Sequence, residues 1–209
     1  MAQPRNGSCR WRIAIAVLLA SAAGFPAPAN AESGVEGKMN EQLVQTVVRL
    51  EARLAEVEAR LAVQQIITSY GLAADTNNIP AMMALWTDDC VIEIDGNVIA
   101  QGREQSRRII ESEVHQAIQP YAAHVMGPFV IEVTDPDHAI ATGYQTVYVR
   151  EGRRAEGQSQ VWRQSFGRWE LRRTGDRWEI ARRTSRAVSH RGVREIIAPA
   201  LSGRSDPGN

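Results

Sequence analysis

Lysine is nearly missing from this chain: Lys38 stands alone, and every other basic residue is arginine. The 24 basic residues are matched by 24 acidic ones, so no excess of positive charge exists to hold a phosphate backbone, which excludes general nucleic-acid binding. Apolar runs are short as well. The longest, Ile13 to Ala23, falls below the roughly 20 apolar residues needed to span a bilayer. Cysteine is scarce: Cys9 lies in the leading segment and Cys90 opens an apolar strand, where it reads as a small buried hydrophobe. His115, His124, His138 and His190 lack metal-ligand spacing. No glycine-rich phosphate loop and no serine in a nucleophile-elbow sequence appear. No cofactor or metal is therefore expected.

What is present begins with a leader. Arg5, Arg10 and Arg12 precede the apolar run, and Ala29-Asn30-Ala31 fits a small-x-small cleavage pattern, so residues 1–31 read as an export signal. Cleavage there gives a periplasmic or secreted bacterial protein with no stable membrane anchor. Residues 32–62 follow, a short polar linker over Glu32 to Lys38 and then a stripe of Leu43, Val47, Leu50, Leu54, Val57 and Leu61. Its alternating spacing of four and three is that of a coiled-coil seam and predicts a homo-oligomer, dimer or trimer. Beyond Leu61 the stripe changes phase. Val63, Ile66, Ile67, Tyr70 and Ala74 continue at the spacing of a helix packed on a globular domain.

Residues 63–188 read as one α+β domain. The first helix stops at Asp75, and a polar turn leads through Asn78 and Pro80 into a short apolar helix. A strand from Cys90 to Asp95 turns at Asp95-Gly96. Gly102 to Gln116 is an amphipathic helix with Ile109, Ile110 and Val114 inward. Long strands follow over Tyr121 to Val133, Ala139 to Arg150, Gln158 to Arg173 and Arg177 to Val188, joined by tight turns. Thirteen arginines against five acids between Arg150 and Arg194 read as a solvated outer face. Residues 189–209 form a tail in which Ile196, Ile197 and Leu201 could cover apolar surface.

This order of elements resembles the nuclear transport factor 2-like fold, a cone of curved antiparallel sheet with helices packed on it, here preceded by a long helix. Ile66 to Asp89, the helix start at Gly102-Arg103-Glu104, His124 to Val133 and Trp169 to Trp178 carry the resemblance, most closely to the SnoaL-like branch. Scytalone dehydratase, hexachlorocyclohexane dehydrochlorinase and bile acid 7α-dehydratase belong to that branch. The resemblance places an active-site acid at Asp75 and a histidine at His124, with Tyr70 five residues before the acid. It implies a lyase in which an Asp–His pair moves a proton. The second active-site histidine known in scytalone dehydratase has no counterpart in Tyr148-Val149-Arg150-Glu151.

The chemistry fits those residue types. An imidazole takes a proton near neutral pH, a carboxylate on its other nitrogen fixes the tautomer, and a phenol can donate to a developing oxyanion. A regular helix sets Tyr70 and Asp75 about 140° apart, so the two share a pocket only if the helix loosens near Ala74. The expected wall comprises Trp86, Met126, Tyr144, Tyr148, Trp162, Gln164 and Phe166, suited to a small hydrophobic ring-bearing substrate. The sequence leaves open elimination, double-bond isomerisation by the same base, and ligand binding without turnover.

Overall fold

The computed structural model describes residues 29–150 and 158–202, with side chains from residue 37 onward. The leader expected over residues 1–31 falls outside the described residues except for its last three, and residues 203–209 of the tail lie wholly outside. The chain divides into two compact units, Met1–Val47 and Val48–Asn209. Among the described residues the first holds only the leading part of one helix, and everything else belongs to the second.

That helix, α1, covers Ala29–Asp75. The linker expected over Glu32 to Lys38 is helical instead. No proline interrupts the chain between Pro28 and Pro80, and the cost of Gly34 and Gly37, roughly 1 kcal/mol each, does not break a helix this long. The end at Asp75 is sharp. Asn77 adopts a left-handed conformation with φ of 51°. Its N–H donates to the Ala74 carbonyl at 3.2 Å, and the Asn78 N–H donates to the Ala73 carbonyl at 2.9 Å. This is the Schellman arrangement, which satisfies the last carbonyls of a helix. Asn78 then caps α2 (Ile79–Met83) through its side chain.

Six strands form one sheet in the order β2-β1-β6-β5-β4-β3. They are β1 (Trp86–Ile94), β2 (Asn97–Gln101), β3 (Ala122–Asp135), β4 (His138–Arg150), β5 (Ser159–Thr174) and β6 (Arg177–Ala187). Neighbours run antiparallel except β1 and β6, which are parallel. β1 begins four residues earlier than expected, because Trp86 already pairs with Ile180. The β1–β2 turn uses positive φ at both Asp95 and Gly96, the twist that two-residue hairpins favour.

The single helix expected from Gly102 to Gln116 is two, α3 (Arg103–Ile110) and α4 (Glu113–Ile118). Ser112 makes the break: its hydroxyl donates to the Ile109 carbonyl at 2.7 Å and accepts from the His115 N–H at 3.3 Å, ending one helix and capping the next. A 3₁₀ turn over Gln119–Tyr121 leads into β3, and α5 (Val193–Ser202) closes the described chain with Ile196 buried.

The core is one cluster. Val63, Ile67, Tyr70 and Ala74 of α1 join Met82, Trp86, Ala139, Ala141, Trp169, Leu171 and Ile180. Tyr70 meets Trp169 edge-on at 5.0 Å and Trp86 edge-on at 6.0 Å between ring centroids, a favoured aromatic geometry. The arginines of the sheet are less solvated than expected, because several pair with acids of β1 and its turn. Arg172 reaches Asp89 at 2.7 Å, Arg163 reaches Asp95 at 2.9 Å, and Arg182 and Arg186 both bind Glu93.

Candidate active site

Asp75 and His124 meet because α1 ends beside an edge strand. β3 has a neighbour on one side only, so alternate N–H groups along its free edge lack a ladder partner. The His124 N–H is one of them, and the Asp75 carboxylate accepts it at 2.8 Å through Oδ2 and 3.1 Å through Oδ1. The same carboxylate lies 2.6 Å from His124 Nδ1. One acid thus holds both the backbone and the ring of the histidine.

Close approach of the two elements depends on Gly71, one turn before Asp75. A Cβ there would stand 2.6 Å from the His124 carbonyl oxygen. The far side of Asp75 is fixed too: its carbonyl accepts from the Gln119 side chain, and Asn77 and Gln116 bond side chain to side chain. Gln116 also reaches the Ile110 carbonyl at 2.8 Å, tying α4 to both α1 and α3.

A carboxylate on Nδ1 sets the tautomer. In the neutral ring this favours Nδ1–H donating to Asp75, with the lone pair on Nε2. Nε2 has no hydrogen-bond partner among the described residues, and His124 lines a cavity of about 250 Å³. α1, α3 and α4 form one wall of that cavity, and the inner face of the sheet forms the other. Ile94, Ile109, Ile110, Ile118, Met126 and Val147 make it mostly apolar, with Tyr70, His115, Gln145, Ser165 and Arg183 as its polar points.

Tyr70 and His124 share this cavity although α1 stays helical through Asp75. The helix need not loosen, because Asp75 approaches His124 from behind while Tyr70 enters the cavity directly. Helical spacing puts the two residues on the different sides of α1 that this arrangement requires.

The expected wall is corrected at five positions. Tyr144 and Phe166 project from the opposite face of the sheet, meet at a tilt with centroids 4.6 Å apart, and line a separate apolar cavity beneath α5 with Ile197 and Leu201. Gln164 shares the outward parity of Phe166 on β5. Tyr148 lines a different cavity, of about 230 Å³, with Tyr121 and Arg150. Trp86 sits in the core beside Tyr70, without reaching the cavity. The cause for the strand residues is alternation: successive side chains point to opposite faces, so one choice of parity moves a whole set. Gln145, Val147, Arg163 and Ser165 face inward instead. Met126 does line the cavity, and so does Trp162, beside a register shift between Val147 and Tyr148.

Three cavity residues carry chemistry that the sequence did not single out. His115 of α4 stacks near His124, with ring centroids 6.1 Å apart, and its Nε2 is buried without a partner. Burial, and then the neighbouring His124, hold its pKa below the usual histidine value. Arg183 of β6 lies over the rings of Tyr70 and Trp169 at 5.2 and 5.1 Å. It forms no ion pair among the described residues and instead donates to Gln145 Oε1 at 3.1 Å. Its Nε, the Gln145 Nε2 and the Trp169 Nε1 are all buried without acceptors. Arg183 and Gln145 thus bring donors without acceptors to the cavity wall, while Trp169 lies behind them in the core. Among the described residues no group of three or more His, Cys, Asp or Glu side chains could hold a metal ion. No described helix is long and apolar enough to cross a membrane.

The fold has counterparts among solved structures. An NTF2-like protein with a cystatin-like fold from Novosphingobium aromaticivorans is 29% identical, with a TM-score of 0.65 over 72% of this chain and 96% of that one. A candidate scytalone dehydratase from the same organism shares 16% identity, with a TM-score of 0.56 over 64% of this chain and 87% of that one. The hexachlorocyclohexane dehydrochlorinase LinA-type3 from Novosphingobium barchaimii also shares 16%, with a TM-score of 0.55 over 65% and 90%. These last two likenesses are of fold. No curated protein matches the sequence. The SnoaL-like domain profile matches residues 55–184, well over half of the chain, and the chain belongs to the SnoaL-like family of the NTF2-like superfamily.

Proposed function

We propose that this chain is a cofactor-independent lyase that eliminates water, halide or a similar small group from a hydrophobic cyclic or aromatic compound. The observation that carries the reading is the double hold of Asp75 on His124, which leaves Nε2 as a free base facing an apolar cavity. In the reaction His124 Nε2 takes a proton from carbon. The C–H electrons form the new double bond, and the leaving group departs with its bonding pair. Asp75 stabilises the imidazolium that results. Both side chains are largely buried, so that ion pair is stronger than it would be in solvent.

The other polar groups fit the same step. Tyr70 has no hydrogen-bond partner among the described residues and lines the same cavity as His124, where it can protonate a departing hydroxyl. Arg183 and Gln145 supply donors for a carbonyl or enolate oxygen that gains charge as the proton leaves. A low pKa keeps His115 neutral near pH 7, so no second cation opposes the charging of His124. Fold relatives named for dehydration and dehydrochlorination, both eliminations, support the reading. The charged start and cleavage-like Ala29-Asn30-Ala31 support action after export, which cell fractionation would check.

The test is a panel of hydroaromatic, halogenated-ring, phenolic and steroid-like compounds incubated with the protein. Mass spectrometry would look for products lighter by water or hydrogen halide. Elimination that disappears in His124→Ala is the expected result. Tight binding of a panel member with no turnover would replace the lyase reading with that of a binding protein.

A further inference from the structure

We propose that the leading helix is a dimerisation seam and that its partner is a second copy of this chain, aligned parallel and in register. Leu50, Leu54, Val57 and Leu61 of α1 are each more than half exposed. They continue a repeat that begins upstream at Leu43 and Val47. Val47, Leu54 and Leu61 occupy one core position of the heptad, and Leu43, Leu50 and Val57 the other. A period of 3.5 residues over almost three heptads is what two supercoiled helices require of each other, while a helix packed on its own domain follows 3.6.

The direction of the seam agrees. At about 100° per residue, Leu50, Leu54, Val57 and Leu61 point roughly 150° away from Ala59, Val63, Ile67, Tyr70 and Ala74, the side of α1 that joins the domain core. The domain leaves these four side chains uncovered, although Arg60 on the flank beside Leu61 donates to the Ile131 carbonyl of β3 at 2.9 Å.

The flanking charges select the partner and its polarity. The positions just after the Leu50 and Val57 core sites are Glu51 and Glu58, and those just before Leu54 and Leu61 are Arg53 and Arg60. Acids line one flank and arginines the other. In a parallel pair each flank faces the opposite flank of the partner, so Arg53 of one copy meets Glu58 of the other. An antiparallel pair would set acid against acid and arginine against arginine. Arg53, Glu51 and Glu58 form no ion pair within the chain among the described residues, whereas Arg60 is held by Glu56 at 2.6 Å. Asn40 extends the heptad one step upstream at the same core position as Val47. A lone core asparagine fixes register and favours two strands.

Analytical ultracentrifugation of the purified full chain, with Leu54→Glu beside it, tests the proposal. Two chains per particle are expected for wild type. Leu54→Glu buries a charge in the seam and should weaken association by roughly a hundredfold or more, leaving monomers with the sheet's circular dichroism unchanged. Orientation is read by oxidation of Leu43→Cys in a Cys9→Ser background. A parallel dimer crosslinks at that site, because each introduced thiol faces its twin. A monomeric wild type, a particle of any other number of chains, a dimer indifferent to Leu54→Glu, or a Leu43→Cys dimer that does not crosslink would each overturn it.

Discussion

Asp75 does two jobs with one carboxylate, and removing it separates them. Asp75→Ala leaves the His124 N–H and Nδ1–H without acceptors in a half-buried setting. Unsatisfied donors cost on the order of 1–3 kcal/mol, to be read as a lower melting temperature. The ring also loses its fixed tautomer, so nitrogen-correlated NMR should show His124 Nδ1–H giving way to a mixture. Turnover of any substrate found should fall about a hundredfold or more. A variant that kept a single Nδ1–H tautomer would contradict the role given to Asp75. His115 gives a second prediction. Burial and the neighbouring His124 hold its folded pKa below the usual value. As pH falls below about 6.5 the unfolded chain binds the proton first, so the neutral His115 contributes stability above that pH and loses it as pH drops through the folded value. His115→Gln should flatten the fall in melting temperature on that acid limb and leave the profile above pH 7 unchanged.

At the scale of elements, the site is a crossing of α1 and β3, and Gly71 sets how closely they cross. In an ordinary helix Gly→Ala gains up to about 1 kcal/mol. Here the new methyl would stand 2.6 Å from the His124 carbonyl, a backbone atom with little room to retreat. Overpacking of this kind costs roughly 1–3 kcal/mol, so Gly71→Ala should lower the melting temperature despite its better propensity. The two faces of the sheet make a paired prediction. Val147→Trp fills the cavity and should abolish ligand binding. Phe166→Ala removes an outward ring beneath α5 and should cost stability while sparing the cavity, as isothermal titration of one ligand against both variants would show.

For the whole molecule, the fold was legible because it depends on strong local signals. The phase change after Leu61 separated the seam from the packed part of α1. Asp75 and His124 were singled out through the resemblance, because an acid closing a helix and a histidine opening a strand are each more often structural. The cavity wall was less legible. Aromatic size pointed to Tyr144, Tyr148 and Phe166, but a strand gives no sign of which parity faces inward until a helix covers one side. The buried alanines Ala139 and Ala141 share the inward parity of Gln145 and Val147 on β4, which only the folded sheet reveals. His115 was hidden because its place in the cavity requires the break at Ser112, and a serine inside an amphipathic stretch is weak punctuation. Arg183 looked like one of many solvated arginines until the sheet turned it over Tyr70.

All of these features serve one claim, that His124 is a base held ready by Asp75. Deuterium exchange tests it without need of complete turnover. The protein would be incubated in heavy water with the panel compound it binds best, and mass spectrometry would follow label at the carbon to be deprotonated. The account predicts label uptake or elimination by wild type that is lost in His124→Ala while binding persists. Equal uptake by both proteins, or a bound compound that neither labels nor eliminates, would contradict it.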